Sequence, residues 1–233
     1  MLKTLLLSAI LLAFSNAAAQ DEERRFLDPK LVPAEGRAAQ DFVPKGWRLE
    51  TDEAVVTGDL NRDGVPDAVL RLVEDMPVEN SEGTLNTRYR ALVILVARPD
   101  GGFMRGAVAP KLLGCSTCFG ALGGPDGSNI RVEIKNGVLD VNQLSGSREA
   151  TDLTLRFRHD LATNRYQLIG EERSDYDRAA GGGTSTSTNY LTGARVIKTT
   201  RVGRGGREST TSKTARVPRT RQFIEDVDYE RQF

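Results

Sequence analysis

The stretch GDLNRDGVPDAVL, Gly58 to Leu70, places Asp59, Asn61, Asp63 and Asp67 at positions 1, 3, 5 and 9 of one short run, with Gly64 at position 6. Three carboxylates this close repel and raise one another's pKa unless a positive charge offsets them. A hard divalent cation supplies that charge. Ca2+ takes roughly six to eight oxygens in flexible geometry, which an irregular loop can provide. The side chains of Asp59, Asn61, Asp63 and Asp67, with the backbone carbonyl of Val65 at position 7, form the expected ligand set, and Gly64 permits the sharp turn. The competing reading is an Asx-rich turn that binds nothing. A structural use of the ion is expected over a chemical one, because no base or nucleophile is visibly paired with it.

Other chemistry-bearing residues are few. Cys115 and Cys118 are the two cysteines, in KLLGCSTCFGALGG. In an oxidising compartment they read as a disulfide. A redox CxxC wants a lowered thiol pKa, commonly at a helix N-terminus, and the glycine-rich context shows no such pattern. Zinc would need further Cys or His ligands, and His159 is the one histidine, read as a solvated turn residue. Nucleophile-elbow, phosphate-loop and dinucleotide motifs are missing. Paired carboxylates for glycoside hydrolysis cannot be placed from spacing alone. Trp47 is expected at the core edge beside Phe42, with carbohydrate stacking as the alternative.

The elements that must hold these residues read as β-structure. Short segments rich in valine, leucine and threonine recur between Gly, Asn and Asp punctuation. The expected strands are Glu53–Val56, Ala68–Glu74, Arg90–Arg98, Phe103–Ala109, Ile130–Lys135, Leu139–Leu144, Thr151–Arg158, Arg165–Glu171, Ala194–Val202 and Ser209–Val217. Asn136-Gly137 between alternating runs is a strong hairpin signal. No window sustains a 3.6-residue apolar period over three turns, so a parallel nucleotide-binding sheet is not expected. The fold class is mostly β, an antiparallel sheet and hairpin domain. Residues 1–19 read as a signal peptide, 20–40 as a mobile lead-in and 41–233 as one β-rich domain with a flexible loop at 181–188. The final IEDVDYERQF reads as a charged tail or late edge segment.

The leader reading rests on Lys3, the apolar run Leu5–Phe14 and Ala17-Ala18-Ala19. That run falls well short of the roughly 20 residues a spanning helix needs. Exported, periplasmic or extracellular, is the expected location, which argues against nucleic acid as a partner. The 32 basic and 32 acidic side chains balance overall, yet residues 190–221 are strongly basic. The bland account is a solvated face of strands. The sharper one is an anionic surface at the envelope, drawn in by the local field.

The loop departs from a helix-flanked EF-hand: position 12 is Leu70, and a strand pattern, PDAVLRLV, follows. It resembles the strand-flanked DxNxDGxxD loop of FG-GAP and VCBS repeats, the calcium-binding elements of integrin-type propeller blades. The likeness covers GDLNRDGVPDAVLRLVEDM and occurs once, whereas a full propeller repeats its blades at a regular period. The order FVPKGW, GDLNRDG, RALVILVARPDGGF, a Cys/Gly-rich turn, NGVL and LRFRHD also resembles bacterial exported proteins that share one such loop in a β-rich domain. That resemblance implies the fold and the loop, and no reaction. The functional expectation is a non-catalytic envelope or extracellular binding module. The alternative is a small exported enzyme, a hydrolase or a CxxC thiol–disulfide oxidoreductase. Made in a secreting host, the chain is expected to begin near Gln20, and an intact mass that retains Met1–Ala19 would refute the leader.

Overall fold

The computed structural model describes residues 26–51, 53–76, 87–124, 126–219 and 221–232. The expected leader and residues 20–25 of the lead-in lie outside them. Among the described residues thirteen strands form two sheets, and every pairing is antiparallel. The first sheet contains β1 (Glu35–Gly36), β2 (Trp47–Leu49), β3 (Val55–Gly58), β4 (Asp67–Glu74), β5 (Arg90–Ala97) and β6 (Phe103–Ala109). Its order is β1-β6-β5-β4-β2, with β3 also paired to β4. The second runs in chain order through β7 (Ile130–Lys135), β8 (Val138–Gly146), β9 (Glu149–Asp160), β10 (Arg165–Asp177), β11 (Gly183–Asn189), β12 (Ala194–Val202) and β13 (Glu208–Arg216). The described helical segments are 3-10 turns of three or four residues, and none could cross a membrane. These sheets are not repeated propeller blades.

The local reasons are legible. Asn136 and Gly137 both take positive φ (53° and 73°), the mirror-image turn whose twist matches the strands it joins. Strands β8 and β9 alternate buried and half-buried residues, as a sheet with one covered face must. Strands β4 and β5 instead read DAVLRLVE and RALVILVA and are buried almost throughout, because the first sheet is covered on both faces.

One cover is the second sheet. Leu60, Val69, Leu92 and Ile94 pack with Leu139, Val141, Leu153, Leu155, Phe157 and Tyr166 in a shared core. The other cover is the N-terminal segment. Leu27, Val32 and Phe42 are buried against Leu70, Leu72, Val93 and Leu95, with Trp47 at the margin. The lead-in reading is therefore corrected from Phe26 onward. These residues lack a period because they cross the sheet as irregular chain, fastened by the Glu35↔Met104 pairing.

Two further expectations change. The flexible loop 181–188 narrows to a turn, since Gly183–Asn189 is strand β11 between β10 and β12. Its Gly/Ser/Thr composition imitates a loop, but β-branched threonines accept strand geometry once both neighbours are present. The charged tail is also a core element. Ile224, Val227 and Tyr229 are buried, Phe223 bridges to Gln167, and the Arg165 guanidinium stands 3.9 Å from the Phe223 ring centroid. Of the expected strands, Glu53–Val56 moves to Val55–Gly58, the short β1 and β2 are additions, and the others stand, with β9 and β10 running longer, to 12 and 13 residues.

Leu27→Ala tests the packed lead-in. Deleting a buried leucine side chain costs about 2–5 kcal/mol, so its urea midpoint should fall clearly, whereas a mobile segment would leave the midpoint unchanged.

Candidate metal loop at the seam of the two sheets

Residues 59–66 join β3 to β4, whose register closes at Gly58↔Asp67. Gly58 passes so close to β7 that a Cβ there would meet Ile134 Cγ2 at 2.7 Å. The loop then turns back through Gly64 at φ 86°, a region that strains other residues. Backbone N–H groups fix its acidic side chains. Asp59 Oδ1 accepts from Arg62 N and Asp63 N at 2.6 and 3.2 Å, and its Oδ2 from Gly64 N at 2.9 Å. Asp63 Oδ1 accepts from Val65 N at 2.8 Å. Asn61 Nδ2 donates to Asp63 Oδ2 at 2.8 Å, and Asn61 Oδ1 accepts from Asp63 N at 3.0 Å.

Asp67 is placed differently. It is fully buried, with Oδ2 accepting from Leu60 N and Asn61 N and Oδ1 accepting from Ala97 N. It thereby pins the loop's entry to the end of β5. Burial pushes its pKa up, the three N–H donors act downward, and the charge of Asp63 adds to the rise. Beneath it the Tyr166 hydroxyl is buried and has no hydrogen-bond partner among the described residues. Burial first, and then the charges of Asp67, Glu225 and Asp63, push that phenol well above its ordinary range.

In donor type, Asp59, Asn61, Asp63 and the exposed Val65 suit a hard cation. Convergence is a separate matter: among the described residues no three His, Cys, Asp or Glu side chains gather as a metal-holding group. The structure brings Asn61 and Asp63 together and keeps Asp67 under the loop. Arg62 extends away and donates from Nη2 to Asn136 O at 3.1 Å, so the loop of the first sheet rests on the β7–β8 turn of the second.

A buried charge cluster lies on the same seam. Glu50 accepts from Arg90 Nε at 2.5 Å, with both side chains almost wholly removed from water. Arg90 also donates to Gly114 O at 3.1 Å and, more weakly, to Gly124 O at 3.5 Å. Arg71 Nε stands 2.7 Å from Glu50 Oε2, a charge contact whose angle is not that of a hydrogen bond, and Arg71 Nη1 donates to Ile130 O at 2.6 Å. Burial pushes the Arg71 guanidinium pKa down, and Glu50 opposes it. A hollow of about 560 Å3 opens beside Arg71, with Glu53, Asp126 and Arg131 on its wall.

Cys115 and Cys118 are joined as a disulfide, with Cα atoms 5.0 Å apart. Their turn is tied to the start of β5 by Ser116 N to Arg88 O and Arg88 N to Ser116 Oγ. His159 lies on β9, half-buried, with Nε2 against Asn164 Oδ1 at 2.9 Å, and Trp47 sits at the core margin as expected. Sequence spacing did not reveal Glu50, Arg71, Arg90, Arg62 or Tyr166. The available signal was an arginine set inside or at the head of an otherwise apolar strand, as in AVLRLVE and RALVILVA.

Against protein-family models, curated proteins and solved structures alike, this chain gives no match.

Glu50→Ala strands the Arg90 charge in the interior. Breaking a buried pair from one side costs about 3–5 kcal/mol, so chemical denaturation should show a loss of that order. A change below about 1 kcal/mol would mean that water reaches Arg90.

Proposed function

We propose that this is an exported, non-catalytic interaction module in which a Ca2+ ion stiffens the Asp59 loop and the basic strands meet an anionic partner. The observation that carries the reading is the loop's position. Its exposed oxygens lie at the junction of the two sheets, one arginine away from the β7–β8 turn. Asp59, Asn61, Asp63 and the Val65 carbonyl would hold the ion, with Asp67 fixing the loop from below. The bound charge would offset the negative field of Asp63 and Asp67 that also reaches Tyr166. It would act as a clasp between sheets, which is a structural role.

The enzymatic alternatives have less support. In a thiol–disulfide oxidoreductase the attacking cysteine needs access and a lowered pKa. Here the first cysteine, Cys115, is buried, Cys118 is the exposed one, and neither starts a described helix.

Metal that binds only the folded loop must stabilise the fold. Extracellular calcium sites commonly have Kd values of about 10⁻⁴ to 10⁻³ M. At ten times Kd the gain is about 1.4 kcal/mol, or roughly 3–6 °C in Tm for a domain of this size. Chelator should lower the midpoint by that order and Ca2+ should restore it, with Mg2+ much less effective. Asp63→Ala should abolish the response, and Asp160→Ala, outside the loop, should keep it. One melting curve for the wild type across chelator and millimolar Ca2+ would reduce the loop to a plain turn.

A further inference from the structure

The second sheet outgrows its core. Its shared core with the first sheet draws on β7 to β10, while β12 and β13 contribute no buried residue to it. Eight of the nine residues of β13 are exposed, so both faces and the outer edge of this strand meet water. Among the described residues β13 pairs with β12 alone, through nine consecutive pairs from Ala194↔Arg216 to Val202↔Glu208 with no shift in register. Natural sheets blunt such an edge with a bulge, a proline, a very short strand or charged side chains. This edge has the charges alone, Glu208, Lys213 and Arg216, and a mainly basic edge repels its own copy while leaving an acidic strand free to pair.

Its charges are placed unusually. Arg195, Arg201 and Lys213 share one face of the ribbon, and Lys198 and Arg216 share the other, as the pairs Ile197↔Lys213, Arg201↔Ser209 and Lys198↔Ser212 require. Lys198, Arg201, Lys213 and Arg216 form no ion pair among the described residues. A flat anionic layer laid on one face would leave the cations of the other face in water. Only at the edge can both sets reach one ligand. A second copy is disfavoured there, because each 190–221 segment carries nine basic side chains and one acidic, and pairing two of them sets like charges together.

We propose that β13 is a docking edge for an extended acidic polypeptide, which adds as an eighth strand to the second sheet. Backbone ladder bonds would supply affinity, and acidic side chains on both faces of the added strand would be met by the cations above and below. A nine-residue partner strand spans about 30 Å, the length of the edge. This rests on the anionic partner of the proposed function and adds its class and its mode.

The test uses the full chain and a fluorescein-labelled nine-residue peptide of repeated Glu-Glu-Thr-Thr, which sets glutamates on both faces of a strand, read by anisotropy. Its counterpart is N-methylated at every residue, which keeps the charges and removes the N–H groups of both edges. A strand added at an edge needs one row of those N–H groups, so the counterpart should weaken by at least about tenfold. Lys213→Glu, at an exposed site, should weaken the plain peptide by about the same factor with Tm unchanged. Equal binding of both peptides would overturn strand addition while leaving an anionic partner in place. Binding of phosphatidylglycerol vesicles without peptide binding would assign the basic strands to a lipid surface and overturn the proposal. Dimers that Lys213→Glu dissociates would put a second copy on the edge, again overturning it. No binding of peptide or vesicle would sink this inference and the anionic-partner reading together.

Discussion

A carboxylate and a guanidinium taken out of water must find each other, and the Glu50–Arg90 pair dictates where several separate pieces of backbone lie. Arg90 heads β5, Glu50 follows β2, and the spare donors of Arg90 fall on the carbonyls of Gly114 and Gly124. Arg71 extends the cluster from β4 to Ile130 at the start of β7. Such a pair adds little net stability over an apolar isostere, because desolvation offsets much of the attraction. Its consequence is arrangement. Any packing that separates Glu50 from Arg90 leaves a bare charge inside the core, which is far costlier than a misplaced leucine. The disulfide turn is drawn into the same arrangement, since Gly114 gives its carbonyl to Arg90 and its N–H to Gln143 Oε1. A two-residue-spaced bridge constrains little chain entropy by itself, so its use lies in shaping the turn that satisfies Arg90.

How much of this could be read in advance follows from the range of each interaction. Strand identity was legible because it rests on local signals: apolar alternation in β8 and β9, and Asn136-Gly137 between them and β7. The doubly covered first sheet was visible only as unusually continuous apolar runs, and nothing local names the cover. Leu27 and Val32 sit in a segment of prolines and charges without periodicity, and Ile224 and Tyr229 in one that reads as a solvated tail. Each is buried because a distant strand needs covering. Gly183–Asn189 went the other way, since its composition signals a loop and its neighbours make it a strand.

The site divides along the same line. The loop's turn chemistry was legible, because Asx side chains capping nearby N–H groups and a glycine at positive φ are short-range facts. The inward rotation of Asp67 was not. Position 9 of a calcium loop and a buried cap for Leu60, Asn61 and Ala97 have the same local sequence. What separates them is the end of β5, thirty residues later, which brings the Ala97 N–H to Oδ1. A carboxylate so engaged can still act on a cation through the loop it holds.

The two ends of the second sheet answer to different constraints. At β7 and the first half of β8 the inward side chains, Ile130, Val132, Ile134, Leu139 and Val141, are apolar on alternate residues and pack into the core shared with the first sheet. Past β10 no first-sheet strand remains to be covered, and the chain changes to threonine, serine, arginine and lysine. Cross-strand hydroxyl pairs such as Thr200–Thr210 at 3.0 Å, rather than a core, line the ribbon. A sheet that extends beyond its core gains ladder hydrogen bonds, but these are worth only about 0.5–1.5 kcal/mol each against an ordering cost of about 1–2 kcal/mol per residue. The extension is therefore close to neutral for folding, so stability gives no strong reason to build three further strands. A surface that costs little to form and displays both faces and an edge is better explained by what can be set against it.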